Sequence, residues 1–225
     1  MWIQESVKRS RRLKDQYQMN GVQVFIKDSL PEEVDPDFVF NYVGSRIPLF
    51  LTTNIDMIYV GQFPEMEERD INAFYENDAI YITNKQDDEM DMIEDIVHEV
   101  SHAVEHYNKE AIYGDGKLQR EFIAKRKRLS ALLSQKYDVP SDFNINFEYD
   151  RAIDDFLHRV VGYDILNQVC VGIFPSAYAA TSVSEYWAKG FEELFIGDLN
   201  NLRQMCPVLY KTLALLIKEL KDETD

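Results

Sequence analysis

Along the first hundred residues, apolar and polar positions alternate in two rhythms. Val22-Gln-Val-Phe-Ile26 is a short β-rich run that ends at Leu30-Pro31. Asp35-Pro36 then has the form of a helix start, with Asp35 as N-cap and Pro36 in the first turn. Phe38, Val39, Tyr42 and Val43 follow at helical spacing, and Pro48 lies beyond the end. Ile55–Phe63 alternates as a strand, and Ala79–Thr83 predicts another after the turn-like Glu76-Asn-Asp78. From about Asp87 to Tyr107 the rhythm becomes helical: Ile93, Ile96, Val97, Val100, Val104 and Tyr107 form one stripe.

The second half reads as mostly helical. Leu118, Phe122, Leu129 and Leu132 predict an amphipathic helix that stops before Pro140, inside a segment 114–150 that opens with Gly114-Asp-Gly116. Further helices are expected over about Tyr149–Leu166, from near Ser182, and over about Pro207–Leu220. Residues 1–20 are charged and weakly periodic, which predicts an N-terminal arm or surface helix. With no internal repeat and no low-complexity linker, the expectation is an α+β chain. A single domain spans 21–225, with a small sheet in its N-terminal half and helices in the rest.

Charge and composition narrow the function classes. The 225 residues carry 24 Lys and Arg against 40 Asp and Glu, a net charge of −16, and are 45% hydrophobic. That hydrophobic share is too rich for a disordered chain. The net charge opposes nucleic-acid binding, because the long-range field repels phosphate. No apolar run approaches the ~18 residues that span a bilayer, and MWIQESVKRSRRLKDQYQ lacks the apolar stretch of a secretory signal. Cys170 and Cys206 stand far apart without ligand-like spacing and are expected to be buried, inert thiols in a reducing compartment. A cytoplasmic location is expected from this, with a phage particle or a non-signal export route left open. Lys117, Arg120, Lys125, Arg126, Lys127 and Arg128 make a basic stretch in which Lys125–Arg128 is expected to be a solvated face, and segment 117–128 is a candidate surface for a protein partner. Lys8–Lys14 is a second basic cluster, expected on the surface.

The chemistry concentrates in His98-Glu-Val-Ser-His102, an HExxH pattern in a chain with only 4 histidines. Two histidines four apart on a helix project to one side and can chelate one metal ion, and the glutamate between them can act on a water at that ion. Both histidines fall off the apolar stripe, on the side of Asp91, Asp95 and Glu99. A zinc site that keeps a position open needs one more protein ligand. His106 lies a further turn along, with no glycine to bend the chain back as HExxHxxGxxH requires. Glu148, Asp154, Asp155 and Glu185 are the acidic candidates, and Ser182-Val-Ser-Glu185 also has the spacing of a capping box. Spacing alone does not choose among them.

Tyr178-Ala-Ala-Thr-Ser-Val-Ser-Glu-Tyr-Trp-Ala-Lys-Gly-Phe191 resembles the second motif of the lethal-factor-type zinc metallopeptidases. These are gluzincins with a tyrosine seven residues before a glutamate in an aromatic context. Tyr178 and Glu185 have that interval, and Tyr186-Trp187-Ala188 and Phe191 complete the likeness. The order of elements from Val22 to Tyr107 is similar as well. The resemblance implies a zincin-like fold and zinc-dependent hydrolysis of peptide bonds. It makes His98, His102 and Glu185 the zinc ligands, Glu99 the general base and Tyr178 the phenol that serves the oxyanion or the leaving amine. It also makes Ala79–Thr83 an exposed edge strand, so that Ile80, Tyr81 and Ile82 would bind an extended peptide substrate.

Two departures stand out. Lys189 occupies a place where the family often has an acid, so a hydrogen bond to a ligand histidine would come from elsewhere, such as Asp95. The long interval between His102 and Glu185 makes 114–150 an expected helical insertion, with no proposed ligand in it. A non-catalytic zinc-binding protein that keeps the fold is the rival reading. A structural site, however, needs neither Glu99 nor Tyr178.

Overall fold

In the computed structural model, residues 16–69 and 71–224 are described. The arm expected over residues 1–20 and the Lys8–Lys14 cluster lie outside them, except that Gln16–Met19 is a strand, β1. Asn20 and Gly21 turn the chain with φ of 51° and 82°, the two positive values of a tight I′ hairpin. The return strand is β2, Val22–Ile26, antiparallel to β1.

The fold is α+β. After β2, Asp35 caps the helix Pro36–Arg46 by accepting from Asp37 N and Phe38 N, which satisfies free donors of the first turn. This crossover leads to β3, Met57–Val60, which runs parallel to β2. The short helix Pro64–Arg69 precedes β4, Ala73–Glu76, and β5, Ala79–Ile82. The order across the mixed sheet is β1-β2-β3-β5-β4.

That order corrects the expectation of an edge at Ala79–Thr83. β5 is internal, parallel to β3 on one side and antiparallel to β4 on the other. Asn77 and Asp78, at φ of 50° and 61°, make a second tight hairpin that folds Ala73–Glu76 back along it. Ile80, Tyr81 and Ile82 therefore have their backbone groups in the sheet, and among the described residues the edges are β1 and β4. One face of the sheet buries Val24, Ile58 and Ile80 in a single row. The other carries Phe25, Tyr59, Tyr81 and Phe74 in register, their rings stacked at 5.7, 5.3 and 4.6 Å.

The helix Glu89–Tyr113 follows, started by Asp88, whose carboxylate accepts from Met90 N and Asp91 N. Ile93, Ile96, Val97, Val100 and Val104 are buried as the stripe predicts, whereas Tyr107 is 48% exposed. The residue after it, Asn108, leaves helical geometry at φ −122°.

The chain forms two compact units, divided between Val104 and Glu105. The division falls inside a continuous helix, so no linker composition marks it in the sequence. In the second unit the helices Lys117–Leu133, Val183–Phe195 and Pro207–Thr224 pack together. Leu118, Phe122, Leu129, Tyr186, Trp187, Phe191, Leu209 and Leu213 are fully buried there. A β-carbon at Gly190 would collide with the side chain of Leu209, so only glycine permits this approach. The helix expected over Tyr149–Leu166 is broken. Arg151–Asp155 runs into a π-turn, Phe156–Val161, and Gly162 at φ 83° reverses the chain before Tyr163–Val169.

The segment 114–150, the expected helical insertion, forms the helix Lys117–Leu133. Its helix supplies Leu118, Phe122, Leu129 and Leu133 to the core of its unit. Its basic stretch divides: Lys127 and Arg128 are exposed, but Lys125 is buried and Arg126 fully so. Lys125 donates to the carbonyls of Ile173 and Met205 at 2.6 and 2.8 Å. Two of the four residues of the expected solvated face Lys125–Arg128 are therefore internal. Among the described residues no helix is long and apolar enough to cross a membrane.

Candidate metal centre

His98 and His102 lie one turn apart on the helix Glu89–Tyr113, both half-buried. Their rings meet edge to face at 4.8 Å, and the two Nε2 atoms are 3.1 Å apart. Two nitrogens bound to one tetrahedral ion at ~2.0–2.1 Å stand about 3.3 Å apart, so this is the spacing of a chelating pair. Glu99, between them in sequence, is 5% exposed. Asp95, one turn earlier, accepts a hydrogen bond from Gln86 Nε2 at 3.0 Å. Burial is the main cause that lifts its pKa to about 6, opposed by the Gln86 bond and the His98 charge and aided by Asp91 and Glu99. Gln86 is thus a side-chain partner of Asp95.

Glu185 sits in the first turn of the helix Val183–Phe195, where Ser182 is the N-cap and its hydroxyl accepts from Glu185 N at 3.1 Å. The helix start read from the Ser182–Glu185 spacing is thus real, and it fixes where the Glu185 carboxylate begins. Beside it, Ser184 donates from its hydroxyl to Glu105 Oε2 at 2.6 Å. Glu105 is buried and also accepts from the Tyr113 hydroxyl at 2.6 Å. Burial, then the Glu105 charge and hydrogen bond, push the Tyr113 hydroxyl far above its ordinary range and keep it a donor. Sequence reading passed over Glu105 and Ser184. The one signal was an acid three residues past His102, a turn further along the same helix.

His98, His102 and Glu185 each offer one ligand atom, and these atoms all lie within 4.8 Å of one another. Among the described residues this is the one such group of three His, Cys, Asp or Glu side chains. Two imidazoles and a carboxylate are the donor set of a catalytic zinc site, and divalent ions of similar preference fit it as well.

The rival acids are engaged elsewhere or exposed. Asp155 pairs with Arg159 at 3.2 Å and Arg151 at 4.0 Å, Asp154 accepts from the Tyr149 hydroxyl at 3.3 Å, and Glu148 and His106 are exposed. Lys189 pairs with Glu192 at 2.6 Å, two turns into the Glu185 helix.

Tyr178 opens a 3₁₀ turn, Tyr178–Ala180, and is 43% exposed. The aromatic core nearby consists of Phe122, Phe174 and Tyr186, with ring centres 5.7–5.8 Å apart. Trp187 and Phe191 are fully buried core residues, as their type suggests.

Arg126 was the other residue the sequence concealed. Its guanidinium lies over the rings of Phe122 and Phe143 at 4.7 and 4.8 Å. Nε donates to Ala180 O at 2.9 Å, Nη2 to Thr181 O at 2.5 Å, and Nη1 to Asn146 O at 2.6 Å. Burial lowers its pKa to about 10, partly offset by the Asp150 charge, which leaves it cationic at neutral pH. Cys170 and Cys206 are both buried. Neither family models nor curated proteins nor solved structures give a match to this chain.

Proposed function

We propose that the chain is a zinc-dependent endopeptidase of gluzincin type with a zincin-like fold. The observation that carries the reading is the convergence of one ligand atom each from His98, His102 and Glu185, two of them in an HExxH helix. The likeness of the Tyr178–Phe191 segment to the lethal-factor-type peptidases adds the reaction class.

An ion bound by these three side chains would polarise a carbonyl and lower the pKa of a water to ~7. The chain's own residues do the rest. Glu99 accepts the water's proton as the scissile carbonyl is attacked and passes it to the leaving nitrogen, the task of a carboxylate next to a ligand histidine. Tyr178, half in solvent, donates its hydroxyl to the oxyanion, an effect worth ~3 kcal/mol per donor. Ser182 and Ser184 hold the Glu185 turn, through the N-cap bond and through Glu105.

The substrate is a peptide or protein, and the excess of acidic residues favours basic side chains near the scissile bond. An internal β5 removes the expected docking edge, so Ile80, Tyr81 and Ile82 are not proposed as substrate contacts. Digestion of a peptide library with and without chelator tests the reading. Chelator-sensitive cleavage that Glu99→Gln abolishes, with metal retained, is expected. Stoichiometric metal with no cleavage of any peptide would instead favour the non-catalytic binding protein.

A further inference from the structure

We infer that Arg126 is the positioning residue of the proposed centre, fixing Tyr178 and Glu185 together by clamping the backbone between them; this rests on the metal-site reading above. Tyr178 and Glu185 bracket a seven-residue interval that contains Ala180 and Thr181. Arg126 takes the carbonyls of both, with Nε on Ala180 and Nη2 on Thr181. These carbonyls end the turn Tyr178–Ala180, and the end of a turn leaves its last acceptors without partners of its own. The next residue, Ser182, caps the helix that presents Glu185. One planar group therefore sets where the Tyr178 turn stops and where the Glu185 helix starts.

The same guanidinium reaches Asn146 O at 2.6 Å and Phe143 O at 3.5 Å. Val183 N donates to Phe147 O at 2.8 Å, so the 143–147 loop and the 180–183 segment are tied by one cation and one backbone bond. The rings of Phe122 and Phe143 also pack within 5 Å of the group, at 4.7 and 4.8 Å. Its donors form a rigid fork, and a lysine's point charge cannot serve three diverging carbonyls at once. A cation buried without a paired carboxylate is costly for a fold that could use a hydrophobic residue instead. Its placement is explained if the position of those carbonyls matters to the ligands on either side. Groups that orient a metal ligand typically change metal affinity by 10–100-fold when altered.

The test is titration of the metal-free protein with cobalt(II), read by its visible absorption, in wild type and Arg126→Lys. Near-UV circular dichroism of each protein checks the fold. Wild type is expected to give an intense band of low-coordinate cobalt at one ion per chain. R126K is expected to keep the wild-type dichroism but to bind about tenfold or more weakly, with a shifted band. Leu132→Ala, an exposed change on the same helix, should leave affinity and band unaltered. Should R126K lose the wild-type dichroism, Arg126→Gln, which keeps two donors without the charge, carries the same comparison. Equal affinity and an unshifted band in a folded variant would overturn the positioning role. Unfolding of both variants would overturn it too, since Arg126 would then serve the fold and not the ligands. Absence of a cobalt band in wild type would strike the metal-site reading itself, a separate failure.

Discussion

Ser184 and Glu105, 79 positions apart in sequence, are joined by a hydrogen bond of 2.6 Å. Glu105 is one turn past His102, and Ser184 is the neighbour of Glu185. The bond thus links the continuation of the HExxH helix to the turn that presents the third candidate ligand. A hydrogen bond to a carboxylate is worth roughly 1.5–3 kcal/mol net. Ser184→Ala is expected to lower stability by ~2 kcal/mol in urea denaturation and to weaken metal binding. Ser45→Ala, at an exposed serine, should cost within ~0.5 kcal/mol. Equal midpoints for the two variants would show that the Ser184 bond contributes nothing.

Tyr178→Phe keeps the ring and removes only the hydroxyl. Because Tyr178 is 43% exposed, thermal unfolding and metal content should match wild type. Turnover should fall on the order of 10²-fold, the loss expected for one oxyanion donor. Steady-state kinetics on any cleaved peptide decides it, and unchanged kcat would remove the phenol from the mechanism.

Replacing residues 117–138 by a short Gly/Ser linker should unfold the second unit. Leu118, Phe122, Leu129 and Leu133 leave the core with that segment, and one buried Phe alone is worth ~3–5 kcal/mol. Near-UV circular dichroism should lose its tyrosine and tryptophan signal. A spectrum like that of wild type would restore the segment as a separable insertion.

Both thiols should be silent in the native protein. Burial pushes Cys170 up to about 12, so at pH 8 only about 10⁻⁴ of it is thiolate, the active form. Burial raises Cys206 as well, opposed by Lys125 and by a bond from Tyr186. Because both are shifted upward, the thiolate of Cys170 rises about tenfold from pH 8 to pH 9 yet stays near 10⁻³, so labelling should remain slow while the fold persists. Labelling with a thiol-reactive disulfide is expected to be slow until denaturant is added, then to reach two per chain. Rapid native labelling of either would contradict the described burial.

What was legible in the sequence followed from periodicity and from one spacing. Val97, Val100 and Val104 had to be buried once the helix was recognised, and that fixed His98 and His102 away from the stripe. Tyr107 broke the pattern because Asn108 leaves helical geometry one residue later, which no apolar spacing announces. The hairpin at Asn20-Gly21 had the strongest short turn signal in the chain and was absorbed into a charged arm. β4 was missed because four residues, Ala73–Glu76, are too few to show alternation, and without it β5 read as an edge. Arg126 and Glu105 were hidden for another reason. Their burial depends on carbonyls and hydroxyls brought from 8 to 79 positions away, and polar residues signal exposure unless those partners are known.

The central claim is a three-residue metal site, and metal content tests it most directly. Wild type loaded with zinc, passed over a desalting column and measured by elemental analysis is expected to retain one ion per chain. His98→Ala, His102→Ala and Glu185→Ala should each lose it, while Glu99→Gln keeps it. Wild type without stoichiometric metal, or Glu185→Ala with full occupancy and affinity, would contradict the account.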